Sequence, residues 1–281
     1  MAVPFRKSPA DLEPDFSSPG ADPFRYGWRP RYVSLPSGEV IEQRIPLTPE
    51  DLLDPQPGDV VGQGGQHYWL AHHLAGLLKR HFASREDVYV AGDMKMLWGI
   101  PGLPEPAPDI AIIPGVHRKL DPQPDSWDVL REGTRPCLIL EVVSSKDPEV
   151  RRNDYDRKVD LYQRAGIPEY FILDPPAPAT KSQFLLTGYS LAKDGRYQRI
   201  SPDSDGRLLS ETTGLRFGVE EDGQSLFILD SKNGDRPLES AEDRARAAEE
   251  RAARETEARK AAEAENAQLR LELERARKGS L

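Results

Sequence analysis

The chain has 281 residues, enough for one ordinary domain with extensions or for two small ones, so it can bury a sizeable core. Lys plus Arg is 38 and Asp plus Glu is 47, a formal net charge of -9, which argues against a protein that coats nucleic acid by bulk charge but leaves room for a local basic cleft. The single cysteine, Cys137, excludes an internal disulfide, and no stretch approaches the roughly 20 apolar residues of a membrane span.

Residues 1–30 carry Pro4, Pro9, Pro14, Pro19, Pro23 and Pro30 with few large aliphatics, the composition of a flexible or surface-draped arm. No apolar run follows its basic residues, so it does not read as a secretory signal, and a soluble cytoplasmic protein is expected. From Arg31 a hairpin is expected: Tyr32 to Leu35, a turn at Pro36-Ser37-Gly38, then Val40 to Ile45. Thr48-Pro49-Glu50-Asp51 fits a short helical turn capped by Thr48. Between Gln66 and Ala83, Leu70, Leu74, Leu77, Leu78 and Phe82 fall on the stripe of a helix with one buried face.

Short strands are expected at Val88 to Val90 and Met94 to Trp98, and longer apolar ones at Ile110 to Ile113 and Leu138 to Val143. Asp147 and Pro148 start a helix that runs to about Arg164, where Gly166 and Pro168 end it. Tyr170 to Asp174 is the next strand, and Asp194-Gly195 turns a hairpin between Gly188–Leu191 and Arg196–Ile200. Leu215 to Val219 and Ser225 to Leu229 add two more strands. This order predicts an α/β chain, in detail an α+β mixed sheet flanked by helices. After Pro237 there is no Gly, Pro or aromatic residue up to Lys278, and Ala, Glu and Arg dominate, which reads as a long helix or coiled coil. An alanine seam packs too weakly to hold a dimer alone.

Three residues carry the chemistry. Glu141 stands inside an apolar run, where an uncompensated carboxylate would cost several kcal/mol, so a cation, a lysine, a structural arginine or solvent must meet it. Asp109 opens the apolar strand about 30 residues upstream, as a turn or cap residue or as a second carboxylate converging on a divalent ion. Lys158 shares a helical face with Tyr155, Val159 and Tyr162, which turns it toward the sheet unless its ammonium lies along the rim in solvent. A lysine beside two carboxylates can orient a water or stabilise charge on a phosphate. His67, on the core side of the first helix, is either a hydrogen-bonded histidine near a helix end or an additional site residue.

The succession Pro108-Asp109-Ile-Ala-Ile-Ile, Leu138-Ile-Leu-Glu141-Val-Val-Ser144-Ser145, then Asp154, Lys158, Tyr162 and Ala165-Gly166-Ile-Pro-Glu169-Tyr170-Phe-Ile-Leu-Asp174-Pro175 resembles the Uma-type restriction endonuclease family of the PD-(D/E)XK nuclease superfamily. The resemblance spans about residues 45 to 230. It implies a restriction-endonuclease-like core with added β-hairpins over residues 31–235, followed by an Ala/Glu/Arg-rich helical tail at 236–281. It further implies magnesium, or manganese, held by Asp109 and Glu141. The superfamily's usual lysine would fall at Val143, and Lys158 from the following helix stands in for it; the backbone carbonyl of Val142 or Val143 is an additional ligand on this reading. The expected activity is that of a metal-dependent endonuclease acting on nucleic acid, DNA in the first instance, with assembly as a homodimer or with a protein partner through the tail left open. The alternative is a non-catalytic interaction module that keeps the fold and assembles through its C-terminal helix.

Overall fold

The structure, a computed structural model, describes residues 22–62, 65–117, 124–143, 148–176 and 182–278. The first two thirds of the proline-rich arm, Gln63 and Gly64, Ser144 and Ser145, the Asp147 cap, and the side chains of Leu269, Leu271 and Leu273 lie outside the described residues. The chain forms two compact units that divide between Pro237 and Leu238. Among the described residues no helix is long and apolar enough to cross a membrane.

The first unit is mixed α and β. A three-stranded antiparallel sheet is built from β1 (Gly27–Ser34), β2 (Val40–Pro46) and β3 (Val60–Val61) in the order β2-β1-β3. β1 begins at Gly27, four residues before the expected start and inside the segment assigned to the arm. Pro30 is tolerated because β3 pairs only Gly27 and Trp28, so that edge of the strand needs no donor from it. The Ser37-Gly38 turn closes as expected, with Gly38 at φ 83°. Thr48 and Asp51 cap each other reciprocally, and the 3-10 turn Asp51–Leu53 follows.

Next come α1 (Gly65–His81), β4 (Val88–Gly92), β5 (Lys95–Leu97), β6 (Ile110–Pro114), β7 (Ser126–Asp128), the short α2 (Val129–Glu132) and β8 (Leu138–Val142). A helix then runs from Pro148 to Arg164 as α3 (Pro148–Arg152), a π turn (Asn153–Arg157) and α4 (Lys158–Arg164), before β9 (Glu169–Asp174), β10 (Leu185–Leu191) and β11 (Tyr197–Arg199). The main sheet has the order β11-β10-β9-β8-β6-β4 and is antiparallel except between β8 and β9. The parallel pair is central, which explains why both strands are apolar at nearly every position: each is covered on two faces.

Alternation along the pleat assigns the faces. Val90, Ile110, Ile112, Leu138 and Leu140 pack toward α1, whose Leu70, Leu74, Leu77 and Leu78 are all buried. Each such leucine stabilises the fold by roughly 1.5–3 kcal/mol. Ala111, Ile113, Ile139, Tyr170 and Ile172 face the other way, against Leu161, Tyr162 and Ala165 of the 148–164 helix, with Met96, Trp98 and Trp127 completing that layer. A four-stranded antiparallel sheet of β12 (Leu208–Ser210), β13 (Leu215–Val219), β14 (Leu226–Asp230) and β15 (Arg236–Pro237) completes the unit. β3, β7, β12 and β15 escaped the sequence reading because two or three residues carry no measurable period.

The second unit is α5 (Ala241–Lys278), 38 residues or about 57 Å of helix. Ser240 caps it: its Oγ accepts from the Asp243 backbone amide, and the Asp243 carboxylate accepts from Ser240. The described side chains are exposed and laced by i,i+4 pairs such as Arg254 with Glu250 and Arg259 with Glu263.

Candidate active site

At the C-terminal end of β8 the main sheet meets the start of α1 and the middle of the 148–164 helix. The β6–β8 register pairs Ile110 with Leu140 and Ala111 with Ile139, so the next pair outward sets Asp109 against Glu141. Backbone geometry holds both: the Val142 amide donates to Asp109 Oδ2 at 2.7 Å, and the Asp109 amide donates to Glu141 Oε2 at 3.4 Å. The two carboxylates that stand 32 residues apart in sequence are therefore cross-strand neighbours.

Lys158 faces inward. Its ammonium lies 3.0 Å from Glu141 Oε2 and 2.8 Å from Asp154 Oδ1, with its side chain only 13% exposed. The π turn makes this possible. The Lys158 backbone amide bonds back to Asn153 instead of Asp154, which releases the Asp154 carbonyl to accept from the Tyr170 hydroxyl at 2.8 Å. Asn153 is tied in turn to the Pro49 carbonyl through its side-chain amide. Tyr162, one turn beyond Lys158, donates its hydroxyl to Glu141 Oε1 at 2.5 Å.

His67 completes the cluster from α1, with Nε2 3.0 Å from Asp109 Oδ1 and the ring buried. Its Nδ1 is buried with no hydrogen-bond partner. Asp93 follows β4 in a left-handed conformation at φ 48°, which aspartate tolerates better than most residues, and its amide donates to the Asp109 carbonyl. His67, Asp93, Asp109, Glu141, Asp154 and Lys158 line a cleft of about 640 Å³, whose wall also includes Arg25, Tyr26, Gln56 and Gly62.

The electrostatics follow from burial. Desolvation lifts the Glu141 carboxyl to about 8, with the Lys158 charge opposing and Asp109 and Asp154 adding to the rise. Desolvation likewise raises Asp154, again against the pull of Lys158. For Lys158 burial works to lower the pKa, but Asp154, Glu141 and Asp109 outweigh it and keep the ammonium charged above its ordinary range. Burial also opposes charge on His67, and the bond to Asp109 reverses the balance, so the imidazole sits above its ordinary value. Five acids line the cleft (Asp59, Asp93, Asp109, Glu141 and Asp154) against two permanent cations, Arg25 and Lys158, and Asp59 is met by Arg29 from outside the lining. The floor is short of positive charge.

Asp109, Glu141, Lys158 and His67 are thus gathered in one place. The Val143 side chain is buried in the core beside them, and Val142 borders the cleft. By the pleat Val143 lies on the same face of β8 as Glu141, in the layer packed under the 148–164 helix. Asp154, Tyr162 and Asp93 were missed as site residues. The i,i+4 spacing of Asp154 and Lys158 was the available signal for the first, whereas nothing local marks Asp93.

The donor set suits a hard divalent cation: two adjacent carboxylates, with room for water in the cleft, meet the preference of magnesium for oxygen and for keeping several waters. Among the described residues no three His, Cys, Asp or Glu side chains converge at metal-ligand spacing. Any such ion would therefore rest on the carboxylate pair.

No curated protein matches the chain. Among solved structures, a protein from Anabaena variabilis described as a "putative nuclease belonging to DUF820" is similar at 12% identity, over 65% of this chain and 83% of that one, with a TM-score of 0.36. The model of the Uma2 family, described as "Putative restriction endonuclease", matches residues 51–226, which contain both carboxylates and the 148–164 helix. The chain belongs to the Uma2 family.

Proposed function

We propose that the protein is a metal-dependent nuclease that hydrolyses phosphodiester bonds in nucleic acid, DNA in the first instance. The observation that carries this reading is the cross-strand pair Asp109 and Glu141 at the floor of a cleft, with the buried Lys158 ammonium bonded to Glu141. A structural ion pair would need one acid for one base. Here three acids, Asp109, Glu141 and Asp154, share one lysine and one histidine, an excess of acidic groups that a divalent cation would offset.

Asp109 and Glu141 would hold magnesium or manganese, which supplies charge neutralisation at the phosphate and lowers the pKa of water to make a hydroxide nucleophile. The protein's own groups do the rest. Lys158, locked by Asp154 and kept protonated, directs N–H donors to the mouth of the carboxylate pair, where it orients a water or a phosphate oxygen. Tyr162 fixes the rotamer of Glu141, and the Val142 amide fixes that of Asp109. His67 holds the other Asp109 oxygen in place from α1.

The test is cleavage of supercoiled plasmid and of single-stranded oligonucleotides by the full chain with Mg²⁺ or Mn²⁺, beside Glu141→Ala and Lys158→Ala. Nicking that requires metal and disappears in both variants supports the assignment. Cleavage that is absent, or that persists in the variants, favours the interaction module, a reading that draws on Lys158 already pairing with two acids and on valine at 143.

A further inference from the structure

We infer that the cleft takes single-stranded nucleic acid, and that α1 provides a stacking platform for unpaired bases beside it. The inference rests on the nuclease reading for the position of the scissile phosphate at the carboxylate pair. In a protein of net charge -9, residues 60–85 contain no Asp or Glu; their basic residues Lys79, Arg80 and Arg85 stand away from His67, at or beyond the C-terminal end of α1, and Arg85 pairs with Asp87. The segment 23–38 is equally free of acids and interleaves Arg25, Arg29 and Arg31 with Phe24, Tyr26, Trp28 and Tyr32, Arg29 being already paired with Asp59. These two segments meet at the cleft: Arg25 and Tyr26 line it from one, Gly62 and His67 from the other. Acid-free stretches at the mouth of an acidic floor are complementary to a polyanion whose backbone runs over the rim while one phosphate dips inward.

The ring geometry chooses the form of that polyanion. Tyr68 and Trp69 are among the most exposed large side chains, at 61% and 63%. Each lies parallel to a histidine one turn along: Tyr68 on His72 at 5.8 Å and 13°, Trp69 on His73 at 5.0 Å and 7°. Two adjacent exposed aromatics, each backed by a histidine, make a local aromatic surface rather than a single scattered side chain. Each histidine covers one face of its ring and leaves the other uncovered by that partner. Successive residues turn by about 100° around a helix, so Tyr68 flanks His67 at the cleft and Trp69 continues the platform onto the outer face. A plate of this kind offers a π-face to any base whose own face is uncovered, which in nucleic acid means an unpaired one. Duplex bases already stack on their neighbours and leave the plates nothing to engage.

Fluorescence anisotropy of a labelled 20-nucleotide oligo-dT and of the corresponding dT·dA duplex tests this with the full chain in EDTA, where no cleavage intrudes. The single strand is expected to bind at least about tenfold tighter than the duplex, Tyr68→Ala with Trp69→Ala to weaken it by about tenfold or more, and Tyr68→Phe with Trp69→Phe to restore it. Melting temperature confirms that these surface variants remain folded. Equal affinity for duplex and single strand, or an unchanged alanine variant, overturns the inference. Binding with these properties in a protein that never cleaves upholds the platform and defeats the nuclease reading, whereas metal-dependent cleavage with an indifferent alanine variant does the reverse.

Discussion

Two glutamates on neighbouring parallel strands, Glu141 on β8 and Glu169 on β9, are each only 2% exposed, yet they live in opposite circumstances. Glu169 accepts from Ser210 Oγ at 2.5 Å, Thr212 Oγ1 at 2.6 Å and the Glu211 amide at 2.8 Å, with the Thr212 amide at 3.4 Å. All its partners are neutral donors on the segment that leads from β12 to β13, so the carboxylate staples that sheet to the core. Glu141 instead faces one tyrosine and one lysine, and shares the lysine with Asp154 beside a further carboxylate. By the pleat the two side chains point to opposite faces of the sheet and lie toward opposite ends of their strands. Burial alone does not mark a functional acid. A buried carboxylate met by neutral donors is satisfied as it stands, whereas one crowded by like charges is the member of the pair that a bound cation would relieve.

The comparison breaks most visibly in activity. Glu141→Ala should lower metal-dependent cleavage by roughly a thousandfold or more, since it removes one of the two carboxylates proposed to hold the ion. Single-turnover cleavage of an oligonucleotide measures this, and Glu169→Gln, assayed per folded molecule, should stay within a few-fold of the parent. Wild-type rates in Glu141→Ala would erase the distinction.

Stability should respond the other way. Glu169→Ala strands the Ser210, Glu211 and Thr212 donors without an acceptor and should cost about 3 kcal/mol or more, read by urea denaturation. Glu141→Gln should unfold no more easily than the parent in EDTA. A larger loss for Glu141→Gln than for Glu169→Ala would make Glu141 the structural member of the pair.

The pH dependence has a definite sign. The Glu141 carboxyl titrates near 8 in the folded state against about 4.5 when unfolded, so the folded state holds its proton more tightly. Its contribution to stability is fully present below pH 4.5 and is lost as pH rises through 8, with a slope of at most about 1.4 kcal/mol per unit. Asp154 and His67, both raised, act in the same direction. Denaturation midpoints in EDTA should therefore fall between pH 5 and 8, and Glu141→Gln should flatten that decline. A variant with the wild-type slope would show that Glu141 titrates normally.

The smallest effects come from single hydroxyls. Tyr162→Phe removes the donor to Glu141, and Ser210→Ala removes one donor to Glu169. Each should cost about 1 kcal/mol in stability. Only Tyr162→Phe should also slow cleavage, by several-fold, because only it orients a carboxylate proposed to hold the metal.

Much of this molecule could be read before it was seen folded. Leu70 through Phe82 announced α1 because a 3.6-residue period over four turns is hard to produce by chance, and the apolar runs at 110–113, 138–143 and 170–174 announced buried strands. The charge inside the second run singled out Glu141, since a carboxylate in an apolar strand must find a partner. What remained hidden was relational. Asp154 looked like one more charge on a mixed helix, and only the π turn and the Tyr170 hydroxyl explain why it points inward. Asp93 comes to the cleft through a left-handed turn after β4 that no period encodes. Glu169 entered only as part of the family pattern, and its donors arrive from 41 to 43 residues away.

The division between the two sources is physical. Periodicity, capping residues and misplaced charge are local, and they determined which segments became helix or strand and which acids required a partner. The identity of each partner depends on register and on the packing of α1 and the 148–164 helix against the sheet. Tertiary structure alone decided that Asp109 stands against Glu141, that Lys158 is shared by two acids, and that Val143 belongs to the core. These contacts join residues far apart in the chain, where no local pattern constrains them.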